Sequence, residues 1–525
     1  MAEESELSEL LHLRKIVDDV VERAQSGHET LASVLEELLP TVAKAVDAQA
    51  MFLESYDEDR KLHVFRWPKD TVVPSWDEMQ AATDERYRGS WAKRVGDVRV
   101  IAQPIDVAGT WFGRAGFVFP ASATVTDEQA ASKLDNVCEV LDNYLFALRA
   151  AREKHAVMMD LGAALRHRVL GEGLTQAEEA LARALPLERM LMVFVAEDAS
   201  SGGGATLHVR LYEDGKVPID TLSGRIAPGI VEAGRGYLFQ NDPTILDRLR
   251  FASAQEEVLI DGVTNGALVG KILAASRTGK FNTFDREILA GFAGYVRQRI
   301  VDFNKEWRRL AASFRPEDVA RLVGSEDYER RFLLPREETV GILYVDIAGF
   351  TRLSEQVLKT PSAVARLVED WGAAAVNLVW KHGGVFDKMV GDCVIALFGP
   401  PFYEEPEGKR LARAIECARE IREMTDAFHE RPGFEVLRGS GLGVSTGVNL
   451  APLFVGSFGP NSNFTGFSAG MNNTARLQGC ATRGRILVME EPIAKLPEGH
   501  GFSFGEVETA QVKNVAQPLR FRELK

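Results

Sequence analysis

The run "ETVGILYVDIAGFT", Glu338 to Thr351, constrains the chain more than any other stretch. Val340 to Val345 are apolar at successive positions, as in a strand covered on both faces, so this segment belongs inside a layered α/β domain. The run ends on Asp346, and after Gly349 the sequence "TRLSEQV" reads as a helix. A buried carboxylate without a partner is costly, so Asp346 calls for one, and a cation is the first candidate. The adjoining backbone N–H groups from Ile347 to Thr351 lie at a helix amino terminus, where an anion is favoured.

A second acid completes this pattern in "GGVFDKMVGDCVIALFG", residues 383–399. Two apolar runs flank Gly391-Asp392, the signal of a two-residue hairpin that would lie beside the first strand. Taken alone, such an aspartate is a turn residue. Paired with Asp346 it gives the several oxygens that a hard divalent cation requires.

The chain has 525 residues, 45% hydrophobic and 26% charged, which implies several soluble globular domains. A net charge of −14 argues against general affinity for nucleic acid, and no apolar run is long enough to span a bilayer. The amino terminus is acidic, unlike a signal peptide, so a cytoplasmic location is expected. Cys138, Cys393, Cys417 and Cys480 are too scattered for a disulfide framework or zinc knuckle and read as reduced thiols.

Before this segment, strand and helix patterns recur twice in the same order. "AMFLES", "HVFRW" and "GTWFGRAGFVFP" lead to a helix from about Asp127. "MLMVFVAE", "TLHVRLY" and "GALVGKILAAS" lead to a long helix near Asp285. Helical seams run through Leu10, Leu13, Val17, Val20 and Ala24, and again through Leu289, Phe292, Val296, Ile300, Phe303, Trp307 and Leu310. Each suits either pairing with a partner helix or packing on its own domain. "SFRPEDVARLVG" begins a further helix, with Pro316 early and Glu317 and Asp318 in the first turn. The "SSGGG" stretch, 200–204, lacks a following Lys-Ser/Thr and reads as a hairpin loop rather than a phosphate cradle.

Both repeated blocks resemble GAF domains, antiparallel-sheet sensor modules with a small-molecule pocket on one face. The likeness rests chiefly on "VGKILAASRTGKFNTFDREIL". At the positions that bind cyclic nucleotides in some members stand Ser276, Arg277, Phe281, Asp285 and Arg286; three of the five depart, so the implied ligand is an unidentified small molecule. Arg277 and Asp285 are expected to form a fold-stabilising ion pair. The division read from the sequence is an N-terminal helix (1–28), two GAF-like domains (29–150 and 151–302), a helical linker (303–335) and a final domain (336–525).

That final domain resembles the catalytic domain of class III nucleotide cyclases. "VDIAGFT", "GGVFDKMVGDCVIALFG", "GVSTGVNLAPLFVGSFG", "FTGFSAGMNNTARLQ" and "VKNVAQPLRFREL" occur in the family's order. The resemblance implies that Asp346, Ile347 and Asp392 hold two Mg²⁺ or Mn²⁺ ions per site, as two-metal catalysis of cyclisation requires. It implies that residues Ile347, Ala348, Gly349, Phe350 and Thr351 bind phosphate, that Lys388 and Thr465 read the base, and that Lys513 makes a further phosphate contact. Lysine is a donor suited to N1 of adenine, and the threonine hydroxyl can accept from the 6-amino group, so ATP is the expected substrate. Thr465 stands where many adenylate cyclases carry aspartate and resembles a subgroup linked to bicarbonate stimulation.

In "MNNTARLQ", Asn472 and Arg476 lie four apart on one helix face. The family assigns the asparagine to the ribose and the arginine to the phosphate in the transition state. Relatives usually carry an acid near Ala469, and this chain does not. Family active sites form between two catalytic domains, so one copy per chain implies a homodimer with two equivalent sites. The alternative from another class is a catalytically inactive nucleotide- or ligand-sensing interaction protein.

Overall fold

A computed structural model describes residues 2–27, 30–56, 61–73, 91–107, 110–198, 205–251, 256–261, 268–459, 462–512 and 517–525. The "SSGGG" stretch and Lys513 lie outside the described residues. The chain divides into two compact units, Met1–Val157 and Met158–Lys525, with the division inside the helix Asp127–Ala164.

In the first unit five antiparallel strands, β1 (Ala50–Tyr56), β2 (Leu62–Trp67), β3 (Trp91–Val95), β4 (Val98–Val107) and β5 (Thr110–Pro120), lie in the order β2-β1-β5-β4-β3. The helix Ala2–Gly27 does not hold its seam out for a partner. Leu13, Val17, Val20 and Ala24 are buried in one core with Val34, Leu38 and Leu141, because the helix Leu31–Ala45 and the sheet supply the apolar surface they need. Leu10 is half-buried.

The second unit opens with β6 (Leu187–Glu197), β7 (Ala205–Glu213), β8 (Lys216–Asp220), β9 (Glu256–Asp261) and β10 (Leu268–Ser276), ordered β8-β7-β6-β10-β9. The four strands β7-β6-β10-β9 repeat the order β2-β1-β5-β4, and the fifth strand sits at opposite edges in the two sheets. One face of this sheet packs Leu191, Val193, Leu207 and Val209 against Ile230, Ala233 and Tyr237. On the other face Arg210 is buried and bonded to Glu178 (2.8 Å) and Asp220 (2.7 Å), so its charge is matched on two sides.

The expected Arg277–Asp285 pair does not form. Arg277 bonds Asp214 at 3.0 Å, while Asp285 closes a capping box with Asn282 at the start of helix Thr283–Ala311. The Asp285 carboxylate accepts from the Asn282 N–H while the Asn282 side chain accepts from the Asp285 N–H, so the acid is engaged at the helix start rather than with the arginine. The seam Leu289 to Leu310 is buried within the same chain, so of the two readings open to it the structure takes packing on its own domain.

Residues after this helix are tied to the last domain. The Ser313 carbonyl accepts from the Phe386 backbone N–H (2.9 Å) and from the Trp380 indole (3.1 Å), and Phe314 packs edge-on against Phe464 with ring centroids 4.9 Å apart. Helix Pro316–Val323 begins with its proline at the first turn, where the missing N–H costs nothing. A π-helical turn, Glu329–Leu333, leads into the final sheet.

That sheet has eight strands: β11 (Arg336–Ile347), β12 (Gly384–Val390), β13 (Cys393–Phe398), β14 (Val444–Phe458), β15 (Asn463–Phe467), β16 (Ile486–Met489), β17 (Phe504–Ala510) and β18 (Leu519–Leu524). Their order is β12-β13-β11-β14-β16-β18-β17, with β15 paired to the far half of β14. Leu343, Val345, Val394 and Val448 face helices Pro361–Lys381 and Glu407–Asp426, burying Trp371, Ala375, Leu411 and Ile415. The helix Ala469–Cys480 lies on the opposite face. A side chain at Gly447 would meet the backbone of Thr474 and Gln478 at 2.7 Å, so glycine there permits the close approach. The central strand is thus covered on both faces, as its unbroken apolar run predicts.

Candidate active site

Asp346 sits near the end of β11, opposite Cys393 on one side and Ser445 on the other. Asp392 occupies the two-residue turn between β12 and β13, where Gly391 takes a left-handed conformation (φ 63°) that suits glycine. The turn brings the two carboxyl groups close enough for each to perturb the other. Burial pushes the Asp346 carboxyl up to about 6, and the charge of Asp392 adds to the effect. Asp392 is also raised, by burial, with its own backbone, Asp346 and the Ile347 N–H opposing the shift.

One oxygen of Asp392 is buried with no hydrogen-bond partner. Two half-buried acids of raised proton affinity at adjoining strand ends, one with an orphaned oxygen, are what a cation would relieve. The donor set therefore fits a hard divalent metal. Among the described residues no group of three or more His, Cys, Asp or Glu gathers to hold one, so further oxygens would come from backbone, water or a substrate phosphate. Cys393, beside the pair, is pushed up to about 12 by burial and by both aspartates, and so stays a thiol.

The turn after β11 departs from a simple helix start. Gly349 is left-handed (φ 71°), Phe350–Arg352 form one helical turn, and Leu353–Leu358 widen into a π turn. Of the five N–H groups expected to face an anion, that of Ile347 serves Asp392 and that of Ala348 bonds the Gly443 carbonyl at 2.9 Å. Those of Gly349, Phe350 and Thr351 remain at the open amino end, where helix geometry gives them no partner.

Lys388 and Thr465 come together although three strands separate their positions in the sheet. The fifteen-residue β14 carries β15 back over β12, and the Lys388 ammonium donates to the Thr465 hydroxyl at 3.2 Å. Lys388 lies opposite Ile395, which lies opposite Tyr344, so it shares a face with Tyr344 and Asp346. Asn472 and Arg476 stand on helix Ala469–Cys480, capped by Ser468, whose hydroxyl accepts from Gly470 at 2.9 Å. Asn472 is exposed and Arg476 half-buried, and neither side chain has a hydrogen-bond or ion-pair partner among the described residues. The structure joins Asp346 to Asp392 and Lys388 to Thr465, and leaves Asn472 and Arg476 unbonded to either pair.

Two residues escape the sequence reading. Gln478 bonds Ser445 at 2.8 Å, pinning the helix beside the strand position opposite Asp346. Asp387 is the extra residue of a β-bulge, since Phe386 pairs with Ala396 and Lys388 with Ile395, leaving Asp387 no position of its own. Strict alternation would turn Asp387 away from Lys388; the bulge puts both on one face. The only sequence signal was the acid next to the lysine in "VFDKMV".

Comparison with known proteins bears on the same segment. Residues 333–521 match the family model described as "Adenylate and Guanylate cyclase catalytic domain". Uncharacterized proteins of Mycobacterium bovis and Mycobacterium tuberculosis are each 27% identical over 205 residues, 38% of this chain and 35% of theirs. The match thus spans about a third of the length of those curated relatives. Among solved structures the chain is similar to the adenylyl cyclase CyaB from P. aeruginosa, with 24% identity and a TM-score of 0.33 over 37% of this chain and 96% of that one. It is also similar to the guanylyl cyclase Cya2, with 23% identity and a TM-score of 0.32 over 36% of this chain and 93% of that one. Residues 333–521 carry a nucleotide cyclase catalytic domain.

Proposed function

We propose that the chain is an adenylate cyclase, converting ATP to cyclic AMP and pyrophosphate at sites shared between two copies, under control of its two GAF-like blocks. The carboxylate pair Asp346–Asp392 at adjoining strand ends is the observation that carries the reading. Asp346, Asp392 and the backbone at Ile347 would hold the divalent ions, Mg²⁺ or Mn²⁺. When bound, these ions supply Lewis-acid activation of the ribose 3′-hydroxyl and neutralise charge on the triphosphate.

The chain's own groups do the remainder. The N–H groups of Gly349, Phe350 and Thr351 bind phosphate oxygens. Lys388 donates to N1 of the base and Thr465 accepts from its 6-amino group, a pattern that guanine inverts. Asn472 orients the ribose, and Arg476 meets the charge that develops on the phosphate. Their lack of partners within one chain supports a site completed by a second copy, as do the exposed rings of Phe454 (51%) and Phe467 (55%) beside Thr465. Among the described residues no helix is long and apolar enough to cross a membrane.

Purified protein with Mn²⁺ and either ATP or GTP tests the proposal directly. Cyclic AMP should form from ATP, with much less cyclic product from GTP, and Asp392→Asn should remove the activity. No product from either nucleotide would favour the inactive, ligand-sensing reading instead.

A further inference from the structure

Behind the pair assigned to the base sits a charge to which the reading above gives no role. The Asp387 side chain is 1% exposed, and neither of its oxygens makes a hydrogen bond of regular geometry. The Lys388 ammonium is 3.7 Å away. Burial raises the Asp387 carboxyl, while the Thr465 hydroxyl and Lys388 act to keep it charged. A buried acid that a bulge turns inward beside a lysine and a threonine asks for an explanation.

The hydroxyl of Thr465 supplies it. A hydroxyl has one hydrogen and two lone pairs, and by rotating it can present either character to a ligand. Thr465 already accepts from Lys388, which uses one lone pair. A carboxylate can only accept, so the buried charge of Asp387 favours the hydroxyl rotamer whose hydrogen points inward, which leaves the second lone pair facing out. The Lys388 ammonium, 3.7 Å from the same carboxyl, offers only donors. The outward array is then donor at Lys388 and acceptor at Thr465, which suits adenine and opposes guanine.

We propose that Asp387 is a positioning residue that fixes the polarity of the Lys388–Thr465 array and so sets the preference for adenine over guanine nucleotides. The inference rests on the adenine reading of the proposed function. Without the buried carboxylate the threonine hydroxyl is free to turn and donate to O6 of a guanine or hypoxanthine ring.

Equilibrium binding of ATP, GTP and ITP to the full chain with Ca²⁺ in place of Mn²⁺, by competition with a fluorescent ATP analogue, tests this without turnover. Asp387→Asn keeps the shape and should narrow the ATP preference over ITP and GTP by about tenfold, chiefly by admitting the latter two. In the Lys388→Ala background the same substitution should change the ratio little, because the two act as one unit. Thr465→Asp, an acceptor whatever stands at 387, should restore the preference in the Asp387→Asn protein. A merely structural role would weaken all three nucleotides alike and show no such rescue, and that result overturns the proposal. A wild-type ratio in Asp387→Asn, with preference lost in Lys388→Ala, overturns it while sparing the adenylate cyclase reading. A wild-type chain that binds all three equally overturns both.

Discussion

Replacing Asp346 by asparagine should make the metal-free protein more stable at neutral pH while destroying its activity. The Asp346 carboxyl is raised from 3.8 to about 6 by burial and by Asp392, so the folded state favours its protonated form. The folded protein therefore binds more protons than the unfolded chain between about pH 4 and 6, and stability falls as pH rises through that window. Taken at face value the shift is worth roughly 3 kcal/mol at pH 7, but Asp346 is only half-buried, and screening reduces the expectation to about 1 kcal/mol. Asparagine removes the charge and keeps the shape. Urea unfolding with a chelator at pH 4.5 and pH 8 measures this, following the transition that moves when Mn²⁺ is added. Wild type should lose stability between the two pH values, and Asp346→Asn should lose less and exceed it at pH 8. Mn²⁺ at a hundredfold excess over its dissociation constant should then stabilise wild type by about 2.7 kcal/mol, and the variant far less. A variant less stable than wild type at pH 8 without metal would refute the argument, since Asp346 would then be held by favourable contacts rather than strained by its neighbour.

Other expectations follow from the same geometry. If each site takes Asp346 from one chain and Arg476 from the other, Asp346→Ala and Arg476→Ala proteins should each lose on the order of 10²–10³ in rate. Mixed with subunit exchange, they should regain roughly a quarter of wild-type activity, because half the dimers are mixed and each mixed dimer holds one intact site. Lys388→Glu with Thr465→Cys should raise the KM for ATP in steady-state assays by leaving the adenine edge unpaired. In the sheet β8-β7-β6-β10-β9, Glu178→Ala strips one partner from the buried Arg210 and should cost about 3–5 kcal/mol, read from denaturant unfolding.

The sequence located strands well wherever one pattern dominated. The apolar run of β11 and the Gly-Asp turn mark Asp346 and Asp392 as acids at the ends of neighbouring strands, because a two-residue turn sets the strands on either side of it against each other. Helical seams were less decisive. Spacing shows that a helix has an apolar face and says nothing about which surface covers it, and both seams were covered by their own units. Charged residues misled for a similar reason. Asp285 and Arg277 were close enough in sequence to suggest a pair, yet capping claimed the acid and Asp214 the base. Asp387 was invisible because a bulge breaks the rule of alternation on which side-chain facing is predicted.

The double hydrogen bond at the Ser313 carbonyl fixes where this chain can be cut. A fragment starting at residue 336 would follow the natural reading of Pro335 and Arg336 as a boundary. It would also strip the Phe386 backbone N–H and the Trp380 indole of their acceptor and uncover the Phe464 ring that Phe314 shields. Such a truncation should come out sticky and poorly behaved, and its defect would fall on the strand that carries Lys388 and the strand that carries Thr465. A start near residue 305 retains the stitch. The last domain as a working object therefore begins about thirty residues ahead of its first strand, and a truncation that ignores this would report on a raw edge rather than on the domain.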